Sequence, residues 1–515
     1  MNTRTVVISP APTANGDLHL GHIAGPFLAA DVHTRYARAQ GREVLLGTGF
    51  QDTSTFVVTT AHHRGVTPAE LVATSAAQIE ASLAALGIGV DGYTGDDDRF
   101  TKWVVDFVGR LHSAGKLELR TMKFPYSERT GEFLLDGFAA GGCPECLAES
   151  CAGLCESCGA LVAAGELLGV RSTLDPEDPV VLREADVLVL PVERYREQLR
   201  AHFAANAAGM RPHMAQAMAQ MLSRPLPDFP VTYPISWGIK VPFPEVAGQV
   251  VNPNAEPMAW SMHCTALAAE QRGVAAGTED ALWLAGAGSE IVYFLGFDNI
   301  YPFAIAGPAM LLAFDGQYDL PTRYLTNEFY ELDHRKFSTS RGHVVWSREL
   351  AAEVPRDLIR FHLAATSPEH QRTSFSRDAL ARVTGTRLVE PWNRVADKVN
   401  RWIGLGPLAV SERSRRGAAR MAERFAASYE LAGFSLNRAA ETITDQLARL
   451  DRREVTGADA GDFCFEVDRL LRAAAPILVD LAAAVLGEDA GAAPADVDSF
   501  TPAALPRLRP AEAGR

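Results

Sequence analysis

The sequence predicts a parallel α/β domain that carries a cysteine-rich insertion and is followed by an α-helical bundle. Short β-branched strands alternate with helical stretches over residues 1–115 and again over 226–325, as in a parallel sheet. Five of the seven cysteines lie between residues 143 and 158. From about residue 376 onward the pattern is helical.

The composition bounds the class of protein. The chain has 515 residues, of which 47% are hydrophobic and 22% charged, as in an ordinary globular protein of roughly three or four structural units. Its formal net charge of -14 disfavours a broad polyanion-binding surface, although a local basic patch would still bind RNA. We expect no membrane association and a cytoplasmic location, because neither a run of about 20 apolar residues nor a signal-peptide pattern occurs.

A histidine-rich turn follows the first predicted strand. Residues Thr5–Ser9 form a β-branched run, and a helical stretch begins at Ile23. Between them, His19 and His22 lie where a strand passes to a helix, which is where doubly wound sheets bind phosphates. Both imidazoles are able to donate hydrogen bonds to phosphate oxygens, and Gly21 lets a nucleotide approach the backbone. Alone, the motif is equally compatible with an ordinary helix start.

Two later motifs favour the nucleotide interpretation. The segment Asp333–Gly342 places Lys336 and several hydroxyl groups on a loop that ends in glycine. The predicted strand Glu290–Leu295 ends in Gly296 and Asp298, and a carboxylate at this place hydrogen-bonds ribose hydroxyls. A simple turn is the alternative for that strand end.

The histidine turn and the lysine loop together resemble the two signatures of class I aminoacyl-tRNA synthetases. From about residue 4 to about residue 490 the chain is most similar to the methionyl-tRNA synthetase family. The resemblance implies a Rossmann-type catalytic domain, and an amino-acid carboxylate that attacks the α-phosphorus of ATP to give an aminoacyl-adenylate and pyrophosphate. Magnesium is expected to accompany ATP.

The resemblance also implies roles for individual residues. The catalytic set holds and neutralises the phosphates; it comprises His19, His22, Lys336, Ser338 and Ser340. The ATP-binding set comprises Asn15, Gly16, Gly21, Gly296, Asp298, Lys336 and Thr339. Thr339 replaces a second lysine of the family, at an expected cost of about 2–4 kcal/mol in transition-state stabilisation, which Arg335 or Arg341 would offset.

The amino-acid pocket departs most from the family. The resemblance assigns it Ala11, Thr13, Asp52, Glu256, Trp260 and Phe303. Asp52 would bind the α-ammonium group, although a role as a loop or helix cap is the alternative. Glu256 replaces a usual alanine and is expected to lie on the surface. The loss of several large side chains predicts that methionine is no longer selected.

The clustered cysteines predict a structural zinc knuckle. Two Cys-x-x-Cys pairs separated by eight residues are typical of a tetrahedral site, and the predicted ligands are Cys143, Cys146, Cys155 and Cys158. A redox pair is the alternative. Cys151 lies between the pairs and is spare or an alternate ligand.

The chain divides into six predicted segments. They are a first Rossmann half (1–115), a connective insertion with the knuckle (116–225), a second Rossmann half (226–325), a signature-loop region (326–375), a degenerate anticodon-binding-like bundle (376–490) and a flexible tail (491–515). A final helix is predicted over Val467–Leu486, and Met421, Phe425 and Tyr429 are expected to pack in the bundle core.

The bundle also lacks the element with which the family reads an anticodon. The corresponding stretch, Gln446–Val455, contains no Asn, Pro or Trp, and base recognition needs stacking and base-edge hydrogen bonds. We therefore expect ATP and an amino acid other than methionine as substrates, with a small-molecule nucleophile as acyl acceptor. The alternatives are a methionine–tRNA ligase that uses tRNA and a non-catalytic regulatory paralogue. The sequence leaves the oligomeric state open.

Overall fold

The structure is a computed structural model that describes residues 4–95, 97–337, 342–487 and 497–511. It separates into two compact units. Unit 1 comprises Met1–Asp17, Leu45–Glu80 and Val90–Thr326. Unit 2 comprises Leu18–Val44, Ala81–Gly89 and Asn327–Arg515.

A five-stranded sheet forms the centre of unit 1. Its strands, in spatial order, are Arg323–Asn327, Ser289–Gly296, Arg4–Ile8, Val44–Gly49 and Gly92–Thr94. The first strand pairs in parallel with Ser289–Gly296, and Val44–Gly49 pairs in parallel with Gly92–Thr94. Val6, Val7 and Ile8 have no exposed surface, as expected for a strand covered on both faces. The predicted parallel α/β sheet of Rossmann type is confirmed.

Among the described residues, seven longer helices accompany the sheet. Thr55–Arg64, Asp98–Ser113, Arg196–Asn206, Pro212–Leu222, Pro257–Gln271 and Gly307–Leu312 lie in unit 1, and Pro68–Ala85 begins in it. Helix Asp98–Ser113 begins at a capping residue: the Asp97 carboxylate accepts a hydrogen bond from the Phe100 N–H at 2.6 Å. Its buried positions, which include Trp103 and Phe107, recur at helical spacing and face the core.

The insertion is built on a long antiparallel ribbon. Strand Glu118–Ser127 pairs with Val180–Leu190, and a small sheet of Ala139–Gly142, Glu149–Ser150 and Leu168–Ser172 lies between them in the chain. The hairpin Gly153–Leu154 and Leu161–Val162 carries the second cysteine pair. The cysteine-rich insertion therefore forms as predicted.

Unit 2 is mainly helical and contains the predicted bundle. Its longer helices are Leu28–Ala39, Arg356–Ala365, Arg377–Thr384, Glu390–Asn400, Glu412–Tyr429, Leu436–Arg452, Ala460–Ala474 and Val479–Leu486. Met421, Phe425 and Tyr429 are at most 4% exposed, which confirms their predicted place in the core. The helix predicted from Ile23 starts as a π-helical turn, Ile23–Phe27, because Pro26 and the non-helical Gly25 disturb the regular ladder.

The single final helix predicted over Val467–Leu486 is wrong. Two helices, Ala460–Ala474 and Val479–Leu486, flank Pro476, which has no N–H to continue the helical ladder. The fully buried Arg360 guanidinium donates to the carbonyl oxygens of Pro476 and Ile477 at 2.6 and 3.0 Å. The same side chain forms an ion pair with Asp31 at 2.6 Å, so it stabilises the break between the helices.

The described part of the predicted flexible tail packs on the bundle. Ser499–Phe500 pairs with Leu408–Ala409, and the backbone of Leu505 exchanges two hydrogen bonds with the Asn400 amide. Asn393 binds the backbone of Leu508 in the same way. Over residues 497–511, two asparagines thus satisfy backbone groups of the segment that the sequence predicts to be a flexible tail. In the described ranges, no helix has both the length and the apolar content that crossing a membrane demands.

Candidate functional site

The histidine turn of unit 2 is held by hydrogen bonds within itself. His19 precedes the short helix Leu20–His22, and its Nδ1 accepts a hydrogen bond from the Gly21 N–H at 3.1 Å. The His22 Nδ1 accepts from the His19 N–H at 3.3 Å. Because both Nδ1 atoms act as acceptors, each neutral ring carries its proton on Nε2 and presents an N–H donor there.

Burial keeps both rings neutral. It lowers the pKa of His22 to about 4, and burial, the neighbouring His22 and the Lys336 ammonium together hold the pKa of His19 well below 6.5. Both residues still retain part of their surface, as side chains that line a cleft do. A phosphate would therefore meet neutral N–H donors rather than imidazolium ions.

Gly21 is required for packing. A Cβ atom at this position would lie 2.9 Å from the His19 ring and 3.3 Å from Phe337. The sequence assigned Gly21 to close approach of a nucleotide, and the structure adds this second reason. Any larger residue would displace the His19 ring.

The lysine loop meets the histidine turn within unit 2. Strand Arg335–Lys336 pairs with Tyr330–Leu332 across a hairpin whose turn residues, Asp333 and His334, both have positive φ. The Phe337 ring stacks on His19, with centroids 4.6 Å apart and planes 3° from parallel. His19 in turn stacks on His22 at 3.9 Å. The three rings bring Lys336 close enough for its charge to depress the pKa of His19. Ser338, Thr339 and Ser340 lie outside the described residues.

The other described residues that the sequence predicts to bind ATP lie in unit 1. The Asn15 N–H donates to the Thr13 carbonyl at 2.8 Å, and Gly16 is buried beside it. At the carboxyl end of strand Ser289–Gly296, a Cβ on Gly296 would lie 2.5 Å from the Asp298 Oδ1. Asp298 is exposed at this strand end and accepts a hydrogen bond from Asn299 at 3.1 Å. A carboxylate at that edge is suited to diol recognition.

Asp52 follows the second strand and is 8% exposed. Its carbonyl accepts a hydrogen bond from the Trp237 indole at 3.2 Å. The cap of the next helix, Thr55–Arg64, is Ser54, whose hydroxyl accepts from the Phe56 N–H. The alternative role of Asp52 as helix cap is therefore taken by another residue.

Glu256 is buried, contrary to the surface position expected for it. It is 2% exposed, and its Oε2 accepts a hydrogen bond from the Thr53 hydroxyl at 2.7 Å. Trp260 lies one helical turn later, 5% exposed, and no described residue accepts a hydrogen bond from its Nε1. The sequence analysis missed Thr53, because the contact joins residues 203 positions apart and no local pattern marks it.

The other pocket candidates are apolar or small. Phe303 is 5% exposed and packs edge-on against Tyr293, with ring centroids 5.1 Å apart. Ala11 is partly buried against the main core of unit 1, and Thr13 forms an isolated parallel bridge with Gln51. Unit 1 thus combines two buried carboxylates, Asp52 and Glu256, with aromatic side chains.

Four cysteine sulfurs in unit 1 converge on one point. The Sγ atoms of Cys143, Cys146, Cys155 and Cys158 all lie within 4.8 Å of one another. Sulfurs that surround a zinc ion at about 2.3 Å stand about 3.8 Å apart. The Cys143–Cys158 and Cys146–Cys155 sulfur separations are 3.9 and 3.7 Å. Cys151 is not part of this group. The donor set therefore fits a tetrahedral metal ion.

Comparisons with known proteins agree with this architecture. Residues 5–402 match the family model described as tRNA synthetases class I (M). Methionine–tRNA ligases of Chlorobium limicola and Porphyromonas gingivalis are 30% and 31% identical over 386 residues. These matches cover 73% and 74% of this chain but 54% and 55% of the relatives, so the chain spans about half the length of the curated relatives it matches.

Solved structures share the fold. Mycobacterium tuberculosis methionyl-tRNA synthetase bound by methionyl-adenylate superposes with a TM-score of 0.74 at 19% identity, over 99% of both chains. Its apo form gives a TM-score of 0.67 at 17% identity. With the family model covering more than half of its residues, the chain belongs to the class I tRNA synthetases.

Proposed function

We propose that this protein uses ATP to activate an amino acid as its aminoacyl-adenylate. The observation that carries the proposal is the stack of Phe337, His19 and His22 in unit 2, which places two neutral imidazoles beside the strand that carries Lys336. Donors of this kind suit a triphosphate, because the reaction needs positioned hydrogen bonds and one compensating charge.

In the proposed reaction the chain mainly positions the two substrates and neutralises the charge of the phosphates. The Nε2–H groups of His19 and His22 donate to phosphate oxygens and orient the α-phosphorus for attack by the amino-acid carboxylate. Lys336 stabilises the charge that builds on the leaving pyrophosphate. Magnesium would accompany ATP and offset phosphate charge, and Cys143, Cys146, Cys155 and Cys158 would hold a zinc ion that stabilises the knuckle.

We propose an amino acid other than methionine. Support comes from unit 1, where Glu256 is buried and bonded to Thr53 instead of lying on the surface. A buried carboxylate is a poor neighbour for a thioether, because it is stabilised by hydrogen-bond donors or positive charge that the methionine side chain lacks. Trp260 adds a buried N–H donor that a thioether satisfies only weakly.

The proposed acyl acceptor is a small molecule. Several bundle arginines are engaged with acidic neighbours: Arg449 and Arg453 contact Glu466 at 2.7 and 3.2 Å. Arg394 pairs with Asp451 at 2.8 Å. Cations already paired with carboxylates contribute less to binding a polyanion.

A second candidate is methionine–tRNA ligase, which is favoured by the similarity of the chain to curated methionine–tRNA ligases. ATP–pyrophosphate exchange with each of the twenty amino acids, with and without total tRNA, separates the candidates. Exchange with a non-methionine amino acid and no tRNA charging supports the proposal. Methionine as best substrate together with tRNA charging would replace it with the second candidate. Absence of exchange with every amino acid would leave a non-catalytic paralogue.

A further inference from the structure

The hairpin that carries Lys336 belongs to a small three-stranded sheet in unit 2. Its third strand, Thr373–Phe375, pairs in parallel with the middle strand, Tyr330–Leu332. Glu331 of the middle strand lies opposite Lys336 on one side and opposite Ser374 on the other. Side chains that lie opposite one another in neighbouring strands point to the same face of a sheet, so these three side chains share one face.

The two faces of this sheet differ in exposure. Tyr330 and Leu332 point to the opposite face and are 4% and 8% exposed. Arg372 lies two residues before Ser374 and therefore on the same face as Lys336, and both cations are exposed. One face of the sheet is thus buried in the core, and the other presents two positive charges to solvent.

The ring of Phe329 contacts both cations. The Lys336 Nζ lies 5.8 Å from the centre of this ring, and the Arg372 Cζ lies 5.3 Å from it. Both distances are within the limit of about 6 Å at which an aromatic ring attracts a cation. The Thr373 N–H donates to the Phe329 carbonyl at 3.4 Å, which fixes the start of the third strand beside the ring. Direct contacts therefore hold the two charges around one side chain.

Glu331 orients Arg372 but does not enclose it. The Glu331 Oε1 lies 3.8 Å from the Arg372 Nη1, and the two side chains are 18% and 50% exposed. An anion that approaches from solvent therefore meets the guanidinium before it meets the carboxylate. A guanidinium presents a planar fork of N–H donors that matches the oxygens of a phosphate group.

The two arginines that the sequence analysis named as substitutes for the missing lysine of the loop are placed differently. Arg335 precedes Lys336 in the same strand and lies opposite Leu332, so it points away from the face that carries Lys336. Arg341 lies outside the described residues. Arg372, by contrast, is far from the loop in sequence but shares the Phe329 ring with Lys336.

We infer that Arg372 binds the β- and γ-phosphates of ATP together with Lys336, and that it supplies the second positive charge that the resemblance expects at position 339. The inference rests on the proposed function and adds a residue to its adenylation step. In that step an amino-acid carboxylate oxygen attacks the α-phosphorus and forms a P–O bond. The bond from the α-phosphorus to the bridging oxygen breaks, and pyrophosphate leaves with the electron pair. Arg372 stabilises the negative charge that this leaving group gains.

The test is ATP–pyrophosphate exchange by the full chain, with the amino acid that gives the fastest exchange. Arg372→Ala should lower the exchange rate about 10- to 100-fold, because it removes a positive charge at the phosphates. It should also raise the KM for pyrophosphate and leave the KM for the amino acid unchanged. Arg372→Lys should restore part of the rate, because it keeps the charge without the planar fork.

A lysine at position 339 separates a role of Arg372 in charge from a role in structure. Thr339→Lys should raise the exchange rate of the Arg372→Ala variant about tenfold, because it returns a positive charge to the loop. In the wild-type background the same change should alter the rate less than about threefold, because Arg372 already supplies that charge. An equal gain in both backgrounds would overturn the inference.

Arg377→Ala is the matched control. The Arg377 side chain is 42% exposed and forms an ion pair with Glu353 at 2.6 Å, so its loss resembles that of Arg372, and the exchange rate should stay at the wild-type value. Exchange by Arg372→Ala that equals this control would overturn the inference, as would an unchanged KM for pyrophosphate or a loss that neither lysine restores. In each of these cases wild-type exchange would still support adenylate formation. Absence of exchange in the wild type would remove the proposed function and this inference with it.

Discussion

The histidine turn of unit 2 and the turn of unit 1 that carries Asp136 both bury a titratable side chain, which is a base in the first and an acid in the second. Burial lowers the pKa of His22 to about 4 and raises the pKa of Asp136 to about 7, so it disfavours the charged form in both places. The histidines are fixed by hydrogen bonds among themselves, whereas the Asp136 turn is fixed by Thr55. One region thus offers proton donors, and the other offers a proton acceptor.

The largest effect is expected at Lys336. Lys336→Ala should lower ATP–pyrophosphate exchange about 100- to 1,000-fold, because it removes the charge that compensates the leaving pyrophosphate. Lys102→Ala, an exposed lysine on helix Asp98–Ser113, is the control and should keep the wild-type rate. An exchange rate that is insensitive to Lys336→Ala would show that the region around His19 does not bind phosphates.

The next largest effect is expected at Asp136, on the pH dependence of the free energy of unfolding. Its folded pKa is raised from about 3.9 to about 7, so the folded state binds more protons between these values and wild-type stability falls as pH rises through them. Asp136→Asn has no such term, and at pH 8 it should be more stable than wild type by about 2–3 kcal/mol in urea unfolding. The difference should shrink toward pH 4, and a pH-independent difference would contradict the buried carboxyl.

The contribution of His22 to the free energy of unfolding should change with pH in the opposite direction. Its folded pKa is lowered from about 6.5 to about 4, so the unfolded chain binds more protons in this interval and stability is lost as pH falls through it. His22→Asn keeps an acceptor for the His19 N–H but does not titrate. Relative to this variant, wild type should lose about 2 kcal/mol between pH 7 and pH 4, measured by urea unfolding. A gain of wild-type stability relative to His22→Asn on acidification would contradict a lowered pKa of His22 in the folded state.

The smallest effect is expected at Thr53. Thr53→Val removes the hydroxyl that donates to Glu256 and should lower the free energy of unfolding by about 1 kcal/mol. Thr121→Val is a useful comparison, because the Thr121 hydroxyl also donates to a carboxylate, that of Asp186 at 2.6 Å, but at an exposed position. Thr121→Val should cost less, and equal costs at the two positions would argue that burial adds little to the hydrogen bond between Thr53 and Glu256.

Much of the site was predictable because its chemistry is local. His19, Gly21 and His22 are neighbours in the chain, and the four cysteines occur in two short motifs, so spacing alone placed them. The knuckle sulfurs converge as that spacing indicates. The parallel sheet was likewise visible, because a strand buried on both faces is apolar along its length. Glu256 was misjudged because a glutamate is usually exposed, and its hydrogen bond with the distant Thr53 favours its burial.

By itself, the sequence determined the class of fold, the family, the cysteine knuckle and the two signature loops. Each of these depends on residues close together in the chain or on the periodicity of apolar side chains. The tertiary structure decided the break between the last helices at Pro476 and the pairing of Ser499–Phe500 with Leu408–Ala409. It also decided the burial of Glu256 and the hydrogen bonds by which Thr55 fixes the turn that carries Asp136. Those features depend on hydrogen bonds between distant segments, such as Arg360 with Ile477 or Thr55 with Leu135, and no local pattern encodes such pairs.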